Sequence, residues 1–222
     1  YLPGYSRTMG PQSHLFAERE RLQSLTWEYF DVKQLSPTIG AELVGVDLSQ
    51  ELPDEVVSEI QQALWDYKVI FFRNQEIRSE QQIRFAQRFG ELEIHPFLPP
   101  NTETPELVRF EKNANAAGYE NQWHHDVTWR ETPSQGAILR AIEIPPIGGD
   151  TLFVDANAAY EGLTQERKDE IDSLNAVHDF LRAFGRQVPK EKLAEMREMY
   201  PLVKHPVVIN HHQTGKPLLY VN

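Results

Sequence analysis

From Ile39 onward, apolar and polar residues fall into regular patterns. AELVGVDL, residues 41–48, alternates with the two-residue period of a strand that buries one face. Next, PDEVVSEIQQALWDYK places Val56, Ile60 and Leu64 at helical spacing with acids in the first turn, which predicts an amphipathic helix. VIFF, residues 69–72, is a short buried-strand run ended by Arg73-Asn74-Gln75. A second helix is predicted in SEQQIRFAQRFG, capped by Ser79 and closed by Gly90. Beyond it the chain is strand-rich. LVRF, QWHHDVTW, GAILRAIEI, DTLFVD, HPVVI and LLYVN are short, apolar or alternating, and bounded by Pro, Gly or Asn. HPVVINHHQTGKPLLYVN predicts a hairpin turning at Thr214-Gly215. ANAAYEGLTQERKDEIDSL and PKEKLAEMREMY are helix-rich and charged. Residues 1–25 mix Pro, Gly and charge without a stable period, an extension with one short helix near 15–25. Spaced strands with helices outside them predict an α+β fold with a jelly-roll, cupin-like core and flanking helices.

Composition narrows the class. The chain has 222 residues, 40% of them hydrophobic, enough for one domain with a sizeable core. Its formal charge of −11 argues against phosphate backbones and anionic membranes as partners. With no cysteine, disulfides and thiolate chemistry are excluded, and His and carboxylate remain as the strong metal ligands. No apolar run is long enough to span a bilayer, so a cytoplasmic location is expected, and a homo-oligomer is compatible.

The candidate chemistry lies in WHHDVTW, residues 123–129. On a strand, His124 and Asp126 point one way and His125 the other, so one rigid segment could offer two ligands to one metal. His plus carboxylate, with a second His from elsewhere, is the facial triad of non-haem Fe(II) oxygenases. Taken alone, the triplet is weak evidence for a metal and reads rather as a capped or hydrogen-bonded turn.

The surrounding text decides between these readings. WHHDVTWRETPSQGAILRAIEIPPIGGDTLFVDANAAYEGL, residues 123–163, resembles the taurine dioxygenase family of Fe(II)- and 2-oxoglutarate-dependent oxygenases. IGAELVGVDLS, YKVIFFRNQ, RFAQRFGELEIHP, HDFLRAF and KHPVVINHHQTGKPLLYVN extend the resemblance in collinear order from about residue 36 to residue 222. It implies an oxygenase domain over 36–222 on a double-stranded β-helix, preceded by an extension over 1–35 and incomplete at the C-terminus. His124 and Asp126 would be the catalytic metal ligands. Thr151 would bind the 2-oxoglutarate cosubstrate, where a hydroxyl beside an Arg completes carboxylate recognition. Leu139 would line that pocket, although an apolar strand residue serves equally as core.

For the primary substrate, the resemblance points to His95 as a donor to an anionic group, where the other reading is a loop histidine held by Pro96, and to Phe184 as a pocket wall. Two positions depart from enzymes that act on taurine: Leu98 replaces a Tyr, and Glu120 replaces an Asn. Leu98 offers an apolar wall. Glu120 is either a solvent-facing loop residue or the partner of a cationic group. The family's second metal His and the Arg that follows it are expected downstream of Asn222; His205, His211 and His212 match the hairpin that precedes that region and are not expected as ligands.

The resemblance thus implies a dioxygenase using Fe(II), 2-oxoglutarate and O₂ on a small anionic organic substrate: an alkyl sulfonate, sulfate ester or carboxylic acid. Asp126 favours hydroxylation over halogenation, since halogenating relatives carry a small non-coordinating residue there. The alternative is a non-catalytic cupin-like binding protein that has lost its third ligand. A zinc hydrolase lacks a general base near the motif.

Overall fold

The computed structural model describes residues 12–94, 103–112, 122–185 and 188–222. His95, Leu98 and Glu120 lie outside the described residues. The chain divides into two compact units. One comprises described residues within Tyr1–His14, Gln122–Ile144 and Ala156–Asn222, and the other those within Leu15–Asn121 and Pro145–Asp155.

The second unit holds most of the α1 helix Ser13–Gln23, strands β1 Asp31–Gln34, β2 Ala41–Val44 and β3 Ile70–Phe71, and helices α2 Asp54–Tyr67 and α3 Ser79–Gln87. β2 is the middle strand, antiparallel to β1 and parallel to β3. Its alternation follows the sequence pattern: Ala41 and Leu43 face a core containing Leu22, Phe30, Ile60, Ala63, Tyr67 and Phe85. α2 forms where the period predicts it. Its buried apolar positions are Val57, Ile60, Ala63 and Tyr67, so the inward stripe is rotated from the expected Val56–Ile60–Leu64, with Val56 at the margin of the core.

α2 ends on Lys68 in the left-handed region, φ 66°, a position that usually favours Gly. Long-range contacts hold this lysine there. Its Nζ donates to Thr38 O at 2.6 Å and pairs with Glu18 at 3.3 Å and Asp155 at 3.1 Å. α3 does not start as its sequence suggests. Ser79 is the first helical residue rather than the cap, and the amide of Arg78 instead donates to Gln81 Oε1 at 2.7 Å.

The other unit contains α4 Ala156–Glu161, α5 Gln165–Ile171, β4 Asn175–His178, α6 Phe180–Phe184, a 3₁₀ turn Lys190–Lys192, α7 Leu193–Met199, β5 Val203–Pro206, β6 Val208–Asn210 and β7 Pro217–Leu219. The hairpin is β6–β7, antiparallel with Val208 opposite Leu219, and Gly215 turns it at φ 69°. β4 pairs antiparallel with β5, a pairing that the sequence pattern does not announce. Asp179 caps α6 by accepting from the Leu181 amide at 2.8 Å. It also takes a two-pronged pair from Arg197 of α7 at 2.8 and 3.0 Å, which holds its carboxyl below the usual carboxylate range.

Four expected strands are not formed as strands: LVRF, QWHHDVTW, GAILRAIEI and DTLFVD carry no β assignment. Ile142, Ile144 and Leu152 are 78%, 72% and 70% exposed. Such segments become strands only when another segment supplies the hydrogen-bonding edge, and no described segment does so here. Among the described residues no helix is long and apolar enough to cross a membrane.

Candidate metal centre

Residues 126–129 form a turn, not a strand, and Val127 sits at φ 57°. For a β-branched residue that conformation is strained by about 1–3 kcal/mol, and it persists only where the surroundings over-determine it. The expected sidedness nevertheless holds. His124 and Asp126 are exposed, while His125 is half-buried and lies against Tyr220 with ring centroids 5.0 Å apart.

His124 and Asp126 form a donor pair. His124 Nε2 lies 3.4 Å from Asp126 Oδ1. The other ring nitrogen, Nδ1, donates to Gln122 O at 2.9 Å, which places a proton on Nδ1 and makes Nε2 the nitrogen available to a metal. Fixing a histidine tautomer through its second nitrogen is how metal-bound imidazoles are oriented. Two ligands about 2.1 Å from one ion, at right angles to each other, stand about 3 Å apart, so the observed spacing suits a shared cation. Among the described residues no third His, Cys, Asp or Glu joins the pair.

An aromatic cluster anchors the far side of the turn. Trp129, 6% exposed, meets Phe180 at 5.2 Å and Tyr200 at 4.9 Å, both edge to face. Phe184, the expected substrate wall, stacks on Phe180 at 5.1 Å as part of this cluster. Leu139 is 71% exposed, and Thr151 is an exposed residue of the other unit.

The pattern of the sequence gives no sign of a second group of imidazoles. His178 is 4% exposed, and neither of its ring nitrogens has a hydrogen-bond partner among the described residues. It packs against His205 at 4.9 Å and Tyr220 at 5.7 Å. Burial first, then the neighbouring His205 and His125, lower its pKa from the ordinary histidine value. Burial likewise lowers that of His125, helped by the neighbouring His124. The folded state therefore favours neutral imidazole. Stability from this source is complete above the unfolded-state pKa of about 6.5 and declines as pH falls below it, because the unfolded chain then binds more protons. The melting temperature should drop by several degrees between neutral and mildly acid pH, and His178→Phe should flatten that decline. An identical pH slope in both chains would show that His178 does not contribute.

Known proteins resemble this chain over most of its length. A family model described as "Taurine catabolism dioxygenase TauD, TfdA family" matches residues 31–222. An alkylsulfatase of Acinetobacter baylyi is 35% identical over 200 residues, covering 86% of this chain and 62% of its own length. An alpha-ketoglutarate-dependent sulfate ester dioxygenase of Pseudomonas putida is 35% identical over 198 residues, covering 85% of this chain and 65% of its own length. The crystal structure of a taurine dioxygenase from Burkholderia xenovorans superposes with a TM-score of 0.72 at 35% identity, over 87% of this chain and 63% of that one. The chain thus spans somewhat less than two thirds of the length of these relatives.

Proposed function

We propose that this chain, which belongs to the taurine catabolism dioxygenase (TauD, TfdA) family, carries the metal-binding turn of an Fe(II)- and 2-oxoglutarate-dependent dioxygenase that hydroxylates a small anionic organic molecule. The observation that carries this reading is the His124–Asp126 pair at 3.4 Å, with the imidazole proton held on Nδ1. On this reading residues 36–222 form the oxygenase domain, with a double-stranded β-helix core. Residues 1–35 precede it as an extension, although Leu22 and Phe30 already pack into the core of their unit. Iron as the metal and the cytoplasm as the location belong to the same proposal.

Bound iron with 2-oxoglutarate would supply oxygen activation coupled to decarboxylation of the cosubstrate to succinate and CO₂. The protein's own contribution is positional. The carbonyl of Gln122 keeps His124 Nδ1 protonated and so presents Nε2 as a neutral ligand, and Asp126 supplies the anionic one. Thr151 is assigned to the cosubstrate carboxylate and Leu139 to its apolar wall. His95 is assigned to the anionic head of the substrate, with Leu98 and Phe184 as apolar walls and Glu120 at the margin.

The named activities of the relatives favour a sulfate ester within this class. Hydroxylation of the carbon bearing the ester oxygen converts R–CH₂–OSO₃⁻ to R–CH(OH)–OSO₃⁻, which collapses to an aldehyde, sulfate and a proton. Succinate, sulfate and aldehyde should therefore appear in equal amounts from a medium-chain alkyl sulfate supplied with Fe(II), 2-oxoglutarate and O₂. A competition panel with taurine and phenoxy acids checks the choice, because a site built around apolar walls should disfavour the small zwitterion. Strict preference for taurine would contradict the assignments of Leu98 and Glu120, and product without succinate would contradict the oxygenase reading.

A further inference from the structure

The turn that carries His124 and Asp126 is held by two side chains distant in sequence. His205, on β5, directs Nε2 at two backbone carbonyls: Thr128 O at 2.9 Å and Arg130 O at 3.0 Å. Both partners can only accept, so Nε2 carries the proton and bridges them. On the other side, Asn222 Nδ2 donates to His125 O at 3.2 Å and to Thr128 Oγ1 at 2.9 Å. Thr128, between the two clamps, is 1% exposed. Together they tie down backbone or side-chain groups of residues 125, 128 and 130, and the strained Val127 lies inside that span.

We infer that His205, assisted by Asn222, is a positioning residue for the metal-binding turn: its Nε2–H group fixes the backbone on which His124 and Asp126 converge. The inference rests on the reading of that pair as metal ligands, and it explains a histidine that the sequence comparison leaves without a role. Among the described residues the ring does not join His124 and Asp126 in a ligand group. It acts through the Thr128 and Arg130 carbonyls. A left-handed valine would relax to an ordinary backbone conformation if the turn were free, and that relaxation would swing Asp126 relative to His124.

The test compares the chain with its His205→Leu, His205→Gln and Asn222→Ala variants by two measurements. The first is Mn(II) affinity, measured by titration. The second is hydrogen exchange at the backbone amides of residues 125–130, measured without metal. His205→Leu removes the donor and should weaken Mn(II) binding about 10-fold, the scale for partners that orient metal ligands. It should also speed exchange in the turn while leaving α2 and α3 protected. His205→Gln restores an N–H at similar reach and should recover most of both losses, whereas a role in bulk packing alone would not be rescued. Asn222→Ala should give a smaller loss in the same direction. Mn(II) binding in His205→Leu as tight as in the parent chain would overturn the inference. If the parent chain shows no Mn(II) binding that depends on His124, the metal-site reading fails, and exchange alone then decides. Unchanged exchange in His205→Leu overturns the positioning role; faster exchange rescued by Gln upholds it.

Discussion

Phe180→Ala is expected to destabilise its unit by about 3–5 kcal/mol, the usual cost of truncating a buried aromatic and leaving the cavity unfilled. Phe180 is fully buried and touches Trp129 at 5.2 Å, Tyr200 at 4.7 Å and Phe184 at 5.1 Å. Removing it takes away the shared wall of all three rings, including Trp129 of the turn that carries Asp126. Domains of this kind are stable by only about 5–15 kcal/mol, so the variant should show a large fall in denaturant midpoint. Phe180→Leu, which keeps much of the volume, should cost far less. Equal stability of the Ala variant and the parent would mean that the cluster is not a core.

The second large effect is chemical. Asp126→Ala should lower succinate formation on the order of 100-fold or more, since even the outer partners of metal ligands are typically worth 10–100-fold. The carboxylate is well exposed and, among the described residues, is paired with His124 across 3.4 Å, so its removal should leave the fold intact. His124→Ala should behave alike. The two effects are separable: Phe180→Ala acts on stability, whereas Asp126→Ala acts on turnover with the melting temperature nearly unchanged. Turnover that survives either ligand substitution would remove the assignment.

How far the sequence reveals this molecule depends on whether the determining contacts are local. α2 is legible because its apolar period, acidic first turn and length are all properties of one segment. The β6–β7 hairpin is legible because Gly215 supplies the left-handed turn residue within it. The start of α3 is misjudged by one residue because the Arg78 amide is satisfied by Gln81 rather than by a capping Ser79. GAILRAIEI and DTLFVD read as strands because their composition suits a doubly buried sheet, but strand identity also requires a neighbouring edge that the residues themselves do not supply.

The candidate site divides along the same line. The sidedness of His124, His125 and Asp126 follows from two-residue spacing and survives the replacement of the expected strand by a turn. The turn itself depends on His205 and Asn222, which lie 77 and 94 residues along the chain from Thr128. No local pattern could announce those contacts. The ring nitrogens of His178, without hydrogen-bond partners among the described residues, are equally illegible, because its ring packs against His205 and Tyr220 from other segments.

The central claim, that His124 and Asp126 hold a catalytic divalent cation together with 2-oxoglutarate, is tested most directly by titrating the chain with Co(II) under anaerobic conditions. Absorption and calorimetry would follow binding in the parent and in His124→Ala, with and without 2-oxoglutarate. One Co(II) should bind the parent, 2-oxoglutarate should tighten that binding and change the visible spectrum, and His124→Ala should lose both effects. Absence of Co(II) uptake by the parent, or uptake indifferent to His124 and abolished instead by replacing His211 and His212, would contradict it.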